Sequence, residues 1–452
     1  MSKIALRQVT VASPNELKKA YVRSKKILLH DKPLLSVGDL SHVVKHLLTK
    51  RRKILQLAKK HATPFYILDE QELTASLKKF TAAFAKHLPS AEHYYAVKLN
   101  HHPEVVKRVL RHGFKLDVSS AKELELGLSL GATKFVFSGP AKTVADLSLA
   151  IKNRSKVTVN LDSFSELQRL GKLTNKHKKS IRAGVRIFTK YHGAWNKFGI
   201  DLKDLALFFK QAKKYPLVNL TGIQFHISWN ESALPYQRVI AELAGYLKKH
   251  FSQSDLSKLE FIDLGGGFRP FQSEGYYPWR LPQGRIIKET CEFNNQEPKF
   301  SQKYYVAHAV TIDEYASGIA SAIKKYLQPL VNCVYYTEPG RYLANNSLHI
   351  LTSLIDVKGP QYGVVDAGIN AIGWERFYYE YFPLINLTHP SLQEKDFIVY
   401  GSLCMADDLW GYYCHAQKMQ EGDLILVPYQ GALTYSLAQE FIKPIPPVYL
   451  LK

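Results

Sequence analysis

The chain has 452 residues, 46% of them hydrophobic and 22% charged, which allows a large buried core and more than one domain. It holds no run of roughly 18 apolar residues able to span a membrane, and Met1 to Asn15 lacks the apolar stretch of a signal peptide, so a cytoplasmic protein without membrane partners is expected. Four cysteines with no CxxC pair exclude a disulfide framework and a zinc knuckle. The net charge of +22 sits in short scattered clusters (Lys50 to Lys53, Lys59 and Lys60, Lys176 to Lys179, Lys248 and Lys249) that read as a solvated surface and not as a specific nucleic-acid site.

In chain order, residues 1–61 read as a basic, mostly helical N-terminal segment, followed by the strand-like Phe65 to Leu68. Eight β-rich runs then alternate with amphipathic stretches: Tyr94 to Val97, Leu116 to Val118, Phe135 to Phe137, Val157 to Asn160, Ala183 to Ile187, Gly222 to Ile227, Phe261 to Leu264 and Val334 to Thr337. The intervening patterns, among them Pro103 to Arg111, Ser120 to Leu130, Thr143 to Lys152, Ser163 to Leu173 and Pro235 to His250, are long enough for parallel crossovers. That count and order predict an α/β fold, a (β/α)8 barrel over 62–345, with an open doubly wound sheet as the alternative. Residues 346–452 carry β-like runs at Leu348 to Asp356, Gly363 to Asp366, Phe397 to Tyr400 and Asp423 to Pro428, with turn signals at Lys358-Gly359-Pro360 and Glu421-Gly422-Asp423, and predict an all-β C-terminal domain. Phe268 to Tyr305 is too long for an ordinary βα loop and is either a rim insertion or decoration.

On a barrel the chemistry sits where strands end. The first strand closes on Lys98, whose amine, partly desolvated beside an apolar strand, suits a Schiff base. The sixth closes on His226, the seventh on Gly265, Gly266 and Gly267, and the eighth on Glu338-Pro339-Gly340-Arg341. Consecutive glycines let backbone approach a phosphate, and Arg341 adds a charged fork; a buried Glu338 beside a ring nitrogen would hold a pyridinium protonated, as pyridoxal 5'-phosphate (PLP) requires.

YAVKLN, DVSSAKELELG (Asp117 to Gly127), SGPAK (Ser138 to Lys142), VRI with NKFGI (Val185 to Ile200), GIQFHIS, DLGGG, EPGR, VDAG (Val365 to Gly368) and GSLCMADD (Gly401 to Asp408) occur in the order seen in the fold type III PLP-dependent decarboxylases. Over about 62–445 the chain resembles a divergent member of the ornithine/diaminopimelate/arginine decarboxylase family, which implies an alanine racemase-like TIM-type barrel. By that resemblance Lys98 is the Schiff-base lysine, His226 stacks on the cofactor and Glu338 partners its ring nitrogen. Gly265 to Gly267, Gly340 and Arg341 hold the phosphate, and Asp117, Arg186 and Lys197 support the cofactor or its lysine. The resemblance also implies a homodimer in which Cys404 reaches the partner's barrel as proton donor, followed by the acidic Asp408.

The departures from the family lie mostly around the substrate. Met405 replaces the usual acidic residue after the cysteine, Trp374 and Glu375 stand where an Arg-Pro pair is expected, and Tyr379 falls where ornithine decarboxylases keep a carboxylate. Tyr378 is retained and, with Arg376, Met405 and Asp408, makes the expected substrate-binding set; Glu380 is a further candidate reader. On the cofactor side Trp229 and Leu433 replace a serine and a tyrosine, leaving Ser228 and Tyr435 as substitutes. The implied activity is decarboxylation of a bulky or conjugated α-amino acid, as in siderophore-like assembly. The alternatives are diaminopimelate decarboxylation, a racemase, and an inactive regulatory homologue.

Overall fold

The computed structural model describes residues 13–30, 34–192, 197–270, 275–296, 304–306, 308–373 and 380–451. Eight parallel strands, Glu92–Ala96, Lys115–Val118, Phe135–Phe137, Val157–Leu161, Ile181–Phe188, Val218–Gln224, Phe261–Asp263 and Val334–Thr337, neighbour one another in chain order. The last pairs with the first, Tyr336 opposite Glu92 and Thr337 opposite His93, so the sheet closes into the expected barrel and not into an open sheet. Helices Ala121–Ser129, Val144–Lys152 and Phe164–His177 start where Ser120, Thr143 and Ser163 accept a backbone N–H from the first turn, which satisfies an otherwise orphaned donor.

Inside the barrel, the Phe261 ring stacks on Tyr336 at 4.8 Å. Glycines at 184 and 222 make room for it: a Cβ there would come within 2.8 and 2.0 Å of that ring. This aromatic layer fills the barrel, so functional groups are confined to the rim.

The second body is an eight-stranded sheet in the order Tyr362–Val365, Pro390–Tyr400, Leu409–Ala416, Leu384–Asn386, Leu424–Val427, Leu348–Gly359, Phe65–Asp69 and Val448–Leu451. Phe65–Asp69, inside the span assigned to the barrel, is a β-sheet strand, antiparallel to Leu348–Gly359 and parallel to Val448–Leu451. It is buried on both faces, which removes the period-two signal that would have marked a sheet strand. The cluster Lys50 to Lys53 is also not wholly solvated: Lys50 pairs with Asp69 at 2.7 Å and with Glu72, and Arg51 Nε donates to the Leu387 carbonyl at 2.5 Å.

The N-terminal segment forms helices Pro14–His30, Val37–Leu48 and Arg51–Ala58. Val44, Leu47 and Ile54 are buried against Phe65, Ile67, Leu351 and Leu426 of the sheet, each contributing about 1.5–3 kcal/mol of apolar burial. Pro14–His30 packs instead on Pro282–Phe293 of the long insertion, where Tyr21 meets Ile287 and Cys291. The insertion is therefore tied into the fold. Its Tyr277 and Trp279 stack at 4.2 Å, and Tyr304 stacks on Tyr381 of the β domain at 3.4 Å.

Candidate functional site

The C-terminal ends of the barrel strands enclose a recess of about 170 Å3 that opens into a cleft of about 700 Å3. Lys98, His226, Ser228 and Trp229 line both; Glu338, Gly267, Gly340 and Arg341 line the recess, and Arg186, Lys197 and Phe198 line the cleft. Lys98 and Arg341, 243 positions apart in sequence, meet here because each follows one of two neighbouring strands.

The floor is built of buried carboxylates. Glu338 accepts from Ser138 Oγ at 3.3 Å and from Gln224 Nε2 at 3.4 Å, and its Oε2 lies 3.5 Å from His226 Nδ1. Asp263, fully buried, accepts the Gly265 N–H at 2.9 Å and an Asn160 amide hydrogen at 3.2 Å. Burial, and then the charge of Glu338, push Asp263 well above the usual carboxylate range, so Asp263 keeps its proton. Burial alone would raise Glu338 too, but its hydrogen bond to His226, the Asp263 proton and the Lys98 charge hold it at about 2. One ionised carboxylate thus sits at the floor of an apolar barrel.

His226 is neutral. Burial lowers its pKa to about 4; its Nδ1 lies 3.1 Å from the Gly266 nitrogen and 3.5 Å from Glu338 Oε2, and its Nε2 lies 3.2 Å from Ser228 Oγ. Lys98 Nζ lies 4.0 Å from Asp117 Oδ2 with its side chain 42% exposed to the cleft. Both Asp117 carboxylate oxygens are buried without a hydrogen-bond partner, and burial followed by the Glu338 charge raises that carboxyl well above its ordinary range against the pull of Lys98. Arg186 and Lys197 flank the Phe198 ring at 4.6 and 5.3 Å on the cleft wall.

The glycines act first on packing. A Cβ on Gly265, Gly266 or Gly267 would fall 2.4, 2.2 or 1.9 Å from the carbonyl oxygen of Phe225, Glu338 or Ile227. With φ of +69° and +93°, Gly265 and Gly267 also adopt backbone that favours glycine, and the run lets three strand ends crowd around the recess. Gly340 would strike Leu99 at 2.6 Å. Arg341 Nη1 donates to Glu380 Oε1 at 2.6 Å, while Nη2 is buried without a partner. Glu380, a candidate substrate reader from sequence, is spent on this arginine.

The donor set fits PLP. An ionised Glu338 matches a protonated ring nitrogen, the flat neutral His226 offers a stacking surface, Lys98 presents a free-standing amine beside the orphaned Asp117, and the unpaired half of Arg341 awaits an anion.

Several expected residues are placed differently. Asp408, expected among the substrate contacts, is 2% exposed and holds the loop of its own β domain, accepting N–H groups from Ile369 at 2.8 Å and Leu403 at 2.6 Å. Tyr435, expected at the cofactor, packs on His101 and His102 with ring centroids 5.4 and 5.0 Å away; the residue of that segment in the recess is Leu433, whose N–H bonds the Leu99 carbonyl at 2.8 Å. Cys404 and Met405 are exposed on the loop braced by Asp408 and are not among the described residues lining the cleft of their own chain. Arg376 and Tyr378, together with Trp374, Glu375 and Tyr379, lie outside the described residues. Sequence reasoning gave no role to Ser138, Gln224, Asp263, Arg269 or Arg280. Gln224 was within reach, since it sits two positions before His226 on the same strand face.

A sequence model of the pyridoxal-dependent decarboxylase pyridoxal-binding domain matches residues 74–283. The diaminopimelate decarboxylase of Methanothermobacter thermautotrophicus is 24% identical over 412 residues, covering 88% of each chain, and that of Vibrio cholerae is 25% identical over 406 residues, covering 86% of this chain and 87% of its own. Diaminopimelate decarboxylase from Helicobacter pylori complexed with L-lysine shares the fold at a TM-score of 0.71 and 22% identity, over 88% of this chain and 94% of that one. Lysine/ornithine decarboxylase from Vibrio vulnificus complexed with putrescine does so at a TM-score of 0.69 and 19% identity, over 89% and 98%. Ordered motifs, a closed barrel with an added β domain, a donor set that fits the cofactor and these likenesses converge: residues 74–283 are a pyridoxal-binding domain of the pyridoxal-dependent decarboxylases, and over most of its length the chain is similar to the ornithine/diaminopimelate/arginine decarboxylase family.

Proposed function

We propose that this decarboxylase acts on an α-amino acid joined to a larger, anionic distal group, in a specialised, siderophore-like pathway, through an active site shared between two copies of the chain. The observation that carries the reading is the charge of the cleft. Lys98, Arg186 and Lys197 line its wall, and Met405, 47% exposed, stands where a reader of a distal amine would carry an acid. An ammonium group brought against that wall would meet cations with no carboxylate among the described residues that line the cleft, at a cost of several kcal/mol. A carboxylate there would be paired.

When bound, PLP supplies the electron sink for the bond to the departing CO2. Glu338 would keep the ring nitrogen's proton in place, and neutral His226 would offer the ring a flat face without adding charge. Lys98 would supply the amine that holds the cofactor's aldehyde carbon, beside Asp117. Cys404, exposed on a loop that Asp408 clamps, would enter a second copy's cleft as the proton donor to the α-carbon. That geometry needs a homodimer. Mixing Lys98→Ala chains with Cys404→Ala chains should restore about a quarter of the native sites, because a mixed dimer keeps one intact pair; no restoration would sink the shared site.

Diaminopimelate itself is the second reading, favoured by the printed names of the relatives and by its own distal carboxylate. CO2 release across free diaminopimelate, ornithine, lysine, arginine and citryl or acyl conjugates of diamino acids separates them. We expect the four free amino acids to fall at least roughly a hundredfold below the best conjugate in kcat/KM, about 2.7 kcal/mol. Diaminopimelate at the top of the panel would overturn the first reading and leave the second.

A further inference from the structure

The indole of Trp229 stands at the lip of the recess, 38% exposed, on backbone with φ of +60°. Three guanidinium groups face its ring, Arg341 at 4.4 Å, Arg280 at 4.8 Å and Arg269 at 5.5 Å. Arg341 follows the last barrel strand, whereas Arg269 and Arg280 come from the start and the middle of the long insertion. Arg280 also lies over the Tyr276 ring at 5.0 Å and has no ion-pair partner among the described residues. Arg341 has Glu380 on Nη1 and nothing on Nη2.

Stacking on an indole orients guanidinium groups but does not cancel their charge. Among the described residues, Glu380 serves Arg341, and Glu231 acts on Tyr276 together with Arg280 and Arg269. Lys98 adds a further cation to the same recess, and Trp229 and Leu433 bring it no hydroxyl. A surplus of converging planar forks beside a recess whose floor already fits the pyridine ring calls for a multivalent anion with several acceptor oxygens.

We infer that Arg280 and Arg269 complete, with Arg341, a guanidinium cage for the phosphomonoester of the cofactor, aligned by the Trp229 indole. The insertion then has a task at the active site. Its stacked aromatic base, Tyr277 on Trp279 and Tyr304 on Tyr381, fixes Arg280 against both the barrel and the β domain.

The test titrates the apoenzyme with PLP and, separately, with pyridoxal, which has the ring and aldehyde without the phosphate. Arg280→Gln should raise the Kd for PLP about tenfold or more, with pyridoxal affinity unchanged to within about twofold, and Arg280→Lys should recover part of the loss. Arg269→Gln should act in the same direction, and added salt should weaken PLP and not pyridoxal. An equal loss of both ligands would mark a structural defect, to be read beside the apoenzyme Tm, and would overturn the cage. An unchanged Kd for PLP would overturn it as well. If that unchanged Kd came with a raised KM for the amino acid, the arginines would instead read a carboxylate of the substrate.

Discussion

The floor and the lip of the recess solve opposite electrostatic problems. At the floor, Asp117, Asp263 and Glu338 crowd into a buried site, and the protein leaves the charge on Glu338 by keeping Asp263 protonated and bringing Lys98 near Asp117. At the lip, Arg269, Arg280 and Arg341 gather round one partly exposed indole, and guanidinium groups do not shed protons. A carboxylate cluster can relieve itself by protonation; an arginine cluster needs an anion. The floor should therefore respond to pH, and the lip to salt and phosphate.

The largest break of that contrast is expected from Lys98→Ala, which removes the one amine standing free over the floor: activity should fall by roughly 10^4-fold, on the order of 5 kcal/mol, with loss of the cofactor's visible absorbance. A coloured, active variant would show that another lysine serves. Glu338→Gln comes next. It keeps the hydrogen-bonding shape but not the charge, so kcat should drop by about 10^2- to 10^3-fold while the Kd for PLP changes little; a variant that instead lost PLP affinity alone would move Glu338 from the floor's chemistry to binding.

Asp408→Asn sharpens the correction made for the β domain. Replacing one carboxylate oxygen by an amide turns an acceptor of a buried N–H into a donor, which should cost about 1–3 kcal/mol of stability, seen as a lower Tm, with KM unchanged. A raised KM at native Tm would restore Asp408 to the substrate site.

The smallest effect is the pH response of the apoenzyme. Burial lowers the pKa of His226 from 6.5 to about 4, so between those values the unfolded chain binds the proton and the folded chain does not. Stability from this group is complete above about 6.5 and is lost as the pH falls toward 4, by at most about 1–3 kcal/mol. The Tm difference between the native chain and His226→Asn should shrink as the pH falls through that window, and a gap that stays constant would mean that folding does not shift the pKa of His226.

Much of this was legible in the sequence because barrel strands carry local signals. All eight runs were readable as apolar segments between helical crossovers, and helix starts at Ser120, Thr143 and Ser163 follow from short-range capping. Lys98, His226, Gly265 to Gly267, Glu338 and Arg341 were identifiable because each follows a strand, and a closed parallel sheet must bring strand ends together. Tertiary structure alone decided the rest. Phe65–Asp69 joins the β sheet through partners nearly 300 and 400 residues away, and a strand buried on both faces carries no mark of which sheet it enters. Asp408 and Tyr435 sat in motifs that promised contact with ligand, yet their side chains are committed to backbone N–H groups and to histidine rings. Arg280 had no sequence signal, because its position over Trp229 depends on how the aromatic insertion packs between barrel and sheet, and packing between distant segments leaves no periodicity to read.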